Sequence, residues 1–251
     1  FKGLEKRSDN ESKNHFGWNF SDDDEDDDWD NGDSLNVDSS NYASNTNYSE
    51  EYNGNYKFAK LTIRGGASNF EISSGSDQLF ESKINKSKNR YYLKKTETDS
   101  LVTLDFSSKN RNGNFNFKED DFGEVKMKLN DLPIWEINLN MGAGKADFDF
   151  SKNKVKDVYL KGGAAEFDIK MGDLYDDVNV SAETGVASVE IKVPENVGCE
   201  IKTSTGLSSR DFKNFIKRGD GSFETSNFKT ATKKIHITLK GGLSKFEVSR
   251  Y

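Results

Sequence analysis

The chain has 251 residues, of which 43 are acidic and 36 basic, for a net charge of −7 with 33% hydrophobic content; its mean hydropathy is −0.86. Nucleic-acid binding is disfavoured, because the acids repel phosphate and the lysines of the body alternate with acids instead of forming a basic patch. One cysteine, Cys199, excludes an internal disulfide and any cysteine-cluster metal site.

The chain opens Phe1-Lys2-Gly3-Leu4-Glu5-Lys6-Arg7 without an initiator Met. Apolar residues followed by Lys6 and Arg7 read as the end of a membrane helix with its basic flank, so attachment through a segment upstream of Phe1 is expected. Residues 8–56 then hold fourteen acids and one base, Lys13, whereas residues 57–251 carry a net charge of +4. Such an imbalance in an Asn-, Ser- and Asp-rich stretch marks residues 1–56 as an acidic, low-complexity arm, expected to be disordered, ahead of a folded domain at 57–251. Eight of the nine residues from Asp22 to Asp30 are acidic. They do not fit a calcium-binding EF-hand loop: with Gly32 at loop position six, Trp29 falls where an oxygen ligand is required. Trp18 and Trp29, with Phe16 and Phe20, are either short docking anchors or part of a solvated spacer, the spacer being the default.

From Lys57 onward one pattern is written six times, in Ile63 to Ile72, Leu139 to Phe148, Leu160 to Ile169, Ala182 to Ile191, Thr203 to Phe212 and Leu239 to Val248. The copies align on Gly66, Gly142, Gly163, Gly185, Gly206 and Gly242. A period near 21 residues is the mark of a stacked repeat, in which each unit buries its apolar face against its neighbours. Mostly apolar positions three before and four after the glycine lie seven apart, which one strand of period two cannot bring to a single face. The chain therefore turns at the glycine, which has no Cβ and lets another backbone pass close by. The expected architecture is all-β: a single-stranded, right-handed β-solenoid or β-helix-like stack of strand, glycine corner and strand.

Five residues after each glycine stands an acid: Glu71, Asp147, Asp168, Glu190, Asp211 and Glu247. Stacked rungs put such equivalents at about the strand spacing of 4.8 Å, where like charges repel. Two residues further on, Lys170, Lys192 and Lys213 offer compensation. The acid column is expected to be a solvated, ion-paired surface; capture of a cation or other ligand is the alternative.

Between Phe80 and Asp131 the glycine pattern lapses while alternation persists, so plain antiparallel or solenoid strands are expected there, with a loop around Lys109 to Asn116. Pro133 and Trp135 lead into four rungs, ending near Phe215. The longer step to the last copy points to an excursion, a hairpin, within Lys213 to Lys229, which carries Gly219 and Gly221. Tyr251 then closes the stack or leaves an edge needing cover. Catalytic groupings are absent from the sequence: there is no nucleophile elbow, phosphate loop or HExxH, and of the two histidines His15 lies in the arm and His236 on the outer face of a strand between Ile235 and Ile237. Cys199 reads as a small buried apolar residue. Arg210 fills an otherwise apolar slot, and either faces an acid or marks an open rung.

The segments Leu139 to Phe148, Gly162-Gly163-Ala164, Val193 to Gly198 and Leu239 to Val248 together resemble the C-terminal β-solenoid, or toastrack, domain of LiaF-like bacterial membrane proteins. Adhesin-like β-helix domains share much of this pattern. The resemblance covers about residues 57–251 and implies a membrane segment upstream, no catalytic residues, no cofactor, and a part in envelope-stress signalling through a membrane protein such as a sensor histidine kinase. The acidic arm departs from that family's pattern. The expected function is a non-enzymatic, membrane-anchored regulatory module of the cell envelope. The alternative is an adhesin or envelope scaffold that binds polysaccharide or self-associates.

Overall fold

Alternating apolar residues drive the chain into strands, and in the computed structural model, which describes residues 46–85, 87, 89–109 and 122–251, every regular element is a strand. In chain order they are β1 (Thr46–Glu50), β2 (Phe58–Ser74), β3 (Phe80–Asn85), β4 (Arg90–Glu97), β5 (Leu101–Lys109), β6 (Gly123–Leu129), β7 (Ile134–Asp149), β8 (Lys154–Lys170), β9 (Asp177–Val193), β10 (Gly198–Thr205), β11 (Ser209–Phe212), β12 (Ile216–Lys217), β13 (Phe223–Glu224) and β14 (Lys234–Arg250). The expectations for the acidic run, its tryptophans, the basic flank and the loop at 110–116 lie outside the described residues.

Five long strands, β2, β7, β8, β9 and β14, run parallel and in register, and each bends at its glycine. In β8, Val158 and Leu160 face the core before the bend, and Phe167 and Ile169 face it afterwards. The change of phase at Gly162-Gly163 lets both halves of one strand bury their apolar residues in a common core. The bent sheet thus forms two walls, the first from the leading halves of the long strands and the second from their trailing halves. The first wall is continued by β5 and β4 at one end and by β10, β13 and β12 at the other. The second wall is continued by β6, β3 and β1 at one end and by β11 at the other.

The corner glycines touch one another in a column. A Cβ on Gly142 would come within 2.9 Å of Gly66 O, one on Gly163 within 2.8 Å of Gly142 O, and one on Gly185 within 2.8 Å of Gly163 O. Inside the corner, the residue before the glycine faces the residue four after it. Where that first residue is itself Gly, the facing residue is Phe, as in Gly65 with Phe70, Gly162 with Phe167 and Gly241 with Phe246, and the ring lies where a Cβ would stand. Where it is Met141, the facing residue is Ala146, and where it is Thr184, Val189. Bulk on one side of the corner is offset by its absence on the other, as close packing demands.

The spatial order differs from the order along the chain. The last copy, on β14, lies between β9 and β10, so the column runs Gly66, Gly142, Gly163, Gly185, Gly242, Gly206. Four residues, 194–197, separate β9 from β10, and β10 lies one strand's width further on, with β14 in the intervening place. Tyr251 accordingly does not close the stack. Its backbone N–H donates to Val193 O at 3.1 Å and its hydroxyl to Met171 O at 2.6 Å, both on interior rungs. The end belongs to β10 and β11, and there Arg210 is exposed and donates to Thr203 Oγ1 at 3.1 Å instead of meeting an acid. Polar residues in the inward slots suit this last rung, which is flanked by β13 only at Glu200 and Ile201 and from Lys202 to Phe212 has a paired strand, β14, on one side only.

Two further differences concern the other end. Among the described residues regular structure is already present at Thr46, eleven residues before Lys57, because β1 pairs antiparallel with β3 and the tyrosines of this acidic segment have apolar bodies to bury. Tyr56 is buried and Tyr48 and Tyr52 pack on the core. The region without the glycine pattern supplies one more rung cut in two: β5 runs parallel to the leading half of β2 and β6 parallel to its trailing half. The excursion after Phe212 does contain a small antiparallel pair, β12 with β13.

Candidate functional site

The core is closed, so chemistry available to a partner lies on the outer faces of the two walls. On the second wall, parallel pairing brings the acids into one row in the order Glu71, Asp147, Asp168, Glu190, Glu247, Asp211. The row is continued past Glu71 by Lys126 and Lys83. Lysines stitch it: Lys126 Nζ lies 2.9 Å from Glu71, Lys192 lies 3.3 Å from Asp168 and 3.1 Å from Glu190, and Lys213 lies 3.4 Å from Asp211 and 3.5 Å from Glu247. Lys145 and Glu166 pair across neighbouring strands at 3.0 Å. These carboxylates point outward in a line instead of converging, and among the described residues no group of three or more His, Cys, Asp or Glu side chains is arranged to hold a metal ion.

Asp147 is the member of the row whose charge is least supported. Partial burial, and then the neighbouring carboxylate of Asp168, raise its pKa above the ordinary Asp value. A carboxyl raised in the folded state favours folding when protonated and costs stability as pH rises through its folded pKa. Asp147→Asn should therefore stabilise the protein at neutral pH, by less than about 1 kcal/mol because the group is largely solvated. The gain should vanish below the carboxylate range, which urea midpoints at pH 7 and at pH 3 would measure.

The outer face of the first wall has a different character. One row reads Thr62, Asn138, Tyr159, Ser181, Thr238, all uncharged hydrogen-bonding residues in register on five adjacent parallel strands. Tyr159, at its centre, is 41% exposed. Burial of its lower part, and then the carboxylates of Asp157 and Glu136, hold its hydroxyl above the usual range, so it remains a donor. A second exposed ring, Tyr92 on β4, projects from the same wall. Beside the neutral row runs a charged one in which Glu136 accepts from Asn138 at 3.0 Å and from Lys60 at 2.9 Å, and Asp157 accepts from Asn179 at 2.9 Å. These bonds fix the amides that border Tyr159.

His236 lies further along that charged row, on the outer face. Its Nε2 is 3.2 Å from Asp177 and its Nδ1 3.4 Å from Glu200, so a single ring on β14 reaches both adjoining strands. Cys199 is fully buried, and that burial pushes its thiol far up, which leaves it a neutral packing residue.

A stack of glycine-cornered parallel strands behind a short antiparallel start agrees with one family model, described as the N-terminal domain of toast_rack, DUF2154, which matches residues 30–192. The match spans 163 of the 251 residues. The chain belongs to the toast_rack family. Among solved structures, this toast_rack chain is similar to a proposed cell adhesion protein from Clostridium sporogenes ATCC 15579, with a TM-score of 0.76 and 22% identity over 83% of this chain and 99% of that one. At that identity the likeness establishes the fold. A proposed adhesin from Bacteroides fragilis NCTC 9343 also aligns, over 83% of this chain and 96% of the other, but at 8% identity and a TM-score of 0.27. No curated protein matches. Among the described residues of this toast_rack chain no helix is long and apolar enough to cross a membrane.

The neutral row was not singled out from the sequence. Its signal lies four residues before the shared glycine, where the six copies have Thr62, Asn138, Tyr159, Ser181, Lys202 and Thr238, and it emerges only once the strand order places Lys202 at the end of the row.

Proposed function

We propose that this chain is a non-catalytic recognition module of the bacterial cell envelope, of the adhesin type, that meets an extended neutral polysaccharide on the outer face of its first wall. The observation carrying this reading is the row through Tyr159. Uncharged donors and acceptors recur there at the strand spacing of about 4.8 Å, with an exposed aromatic face in the middle and fixed amides on either side. An extended sugar chain offers hydroxyls at regular intervals and apolar ring faces that stack on aromatics, and no charge has to be desolvated on either partner. The likeness to a proposed cell adhesion protein supports the same assignment. Attachment to the membrane through a segment upstream of Phe1 belongs to this reading.

Titration calorimetry with linear N-acetylglucosamine hexamers and with cellohexaose tests it. Binding should weaken roughly tenfold, about 1.4 kcal/mol, in Tyr159→Ala and survive in Tyr159→Phe. Binding that ignores Tyr159→Ala, or no heat with any neutral glycan, would sink the idea.

The patterned second wall favours one other reading, an envelope-stress regulator of the LiaF-like kind that holds a membrane protein such as a sensor kinase. Alternating rows of carboxylate and lysine present a charge pattern that a complementary protein surface recognises. Such binding would be insensitive to Tyr159→Ala, would weaken in Asp168→Asn and Glu190→Asn, and would fall with salt.

A further inference from the structure

We propose that the place between β9 and β10 is an acceptor groove for strand β14 of a second copy of this chain, so that copies join by exchanging β14. In one copy the groove is filled by that copy's own β14, which pairs with β9 from Lys234 to Arg250 and, on its other side, with β10 and β11. β9 and β10 are consecutive in the chain, yet their connection of four residues leaves a full strand's width between them. Until the seventeen residues of β14 arrive, the facing backbone edges of β9 and β10 have no partner there, and an unpaired parallel edge is a template for a strand from any source.

Three observations select a second copy as that source. The groove is shaped for this strand, since Ile237, Leu239, Phe246 and Val248 of β14 are all fully buried in it, and only β8, with Val158, Leu160, Phe167 and Ile169, carries the same four inward residue types, in another order. The strand follows a partly exposed, turn-rich connection: Thr225 is fixed to Cys199 by bonds of 2.9 Å in both directions, and residues 226–233, outside any strand, separate that anchor from β14 and are held to the body by Asn227, which donates to Val197 O at 3.2 Å, and by Lys233 O, which accepts from Gly198 N–H at 2.9 Å. A connection of this kind lets the element after it serve a neighbouring molecule with all its native bonds remade, which is why exchange is a low-cost route to assembly. Finally, exposed apolar surface gathers at this corner. The position after each corner glycine is alanine on β2, β7 and β8, but Val186 on β9, Leu243 on β14 and Leu207 beyond β10, and Leu207 is 86% exposed. Clustered exposed apolar side chains mark a surface that a partner covers.

The test uses the full chain. Ser181 of β9 and Thr238 of β14 are register neighbours on the outer face. Chains carrying Ser181→Cys are mixed with chains carrying Thr238→Cys, warmed into the unfolding transition, cooled at high protein concentration, oxidised and separated without reductant. Exchange predicts a disulfide-linked dimer several-fold more abundant than in a mixture of Ser181→Cys with Thr62→Cys, which stands in the same outer row three strands from Ser181 and never beside it. Equal yields in the two mixtures would overturn the proposal. A chain carrying both Ser181→Cys and Thr238→Cys, oxidised before warming, should stay monomeric in size-exclusion chromatography, and oligomers forming from it undiminished would overturn it as well.

Discussion

Gly144→Val should destabilise the protein by at least about 4 kcal/mol, a fall in Tm of roughly 10 °C, or prevent folding altogether. Gly144 has φ +120°, a left-handed conformation that a β-branched residue does not adopt without strain. A Cβ at this position would also overlap the backbone O of Ser68 on the neighbouring strand β2, so neither relaxation of a side chain nor a rotamer change relieves it. Both effects are local to one corner, yet the parallel register of β2 with β7 runs through it. Gly219→Ala provides the contrast, because nothing lies within 4 Å of its Cβ position, and it should change stability by no more than about 0.5 kcal/mol. Thermal and urea unfolding of the two variants would separate a glycine in a packed corner from one in open space.

The second large effect concerns the size exchange across the corner. Phe167→Ala should cost about 3–5 kcal/mol, as expected for deleting a fully buried ring. Gly162→Met alone should cost about 1–3 kcal/mol, because its Cβ would stand 2.6 Å from the Phe167 ring. The double variant Gly162→Met, Phe167→Ala copies the Met141 and Ala146 pair of the rung beneath it. It should therefore lose much less than the sum of the two, with a coupling energy of about 2 kcal/mol or more measured by a double-mutant cycle. Additive losses would show that the two positions do not share one space.

Much of this arrangement can be read from residues alone, and the reasons are specific. Leu160 and Phe167 cannot both be inward on a straight strand, so their spacing demands a bend, and Gly163 is where the backbone can make one. The acids from Glu71 to Asp211 stand at a constant distance from that bend, and constant distance becomes a row once strands are in register. The order of the rungs is another matter. Backbone pairing carries no sequence label, so β9 offers the same edge to β14 as to β10, and only Thr203, Thr205 and Arg210, polar where other copies are mostly apolar, hint that β10 and β11 stand at an end. Tyr48, Tyr52 and Tyr56 were hidden by the company they keep, since composition averaged over an acidic segment conceals three rings with a core to join. The rung split between β5 and β6 has no corner glycine to announce it. The row through Tyr159 depends on which residues lack charge in neighbouring strands, a property of the assembled wall.

The insertion of β14 between two earlier strands also bears on how the protein is made. A ribosome emits the rungs of most stacked repeats in the order in which they will lie, so each can settle on its predecessor as it emerges. Here β14, the piece that joins β9 to β10, is translated after both of them, and Tyr251, just beyond it, ties Val193 and Met171. Completion of the stack therefore waits until β14 and Tyr251 have left the ribosome. A product truncated before Lys234 keeps two open sheet edges, the feature by which a cell's proteases and chaperones recognise unfinished chains.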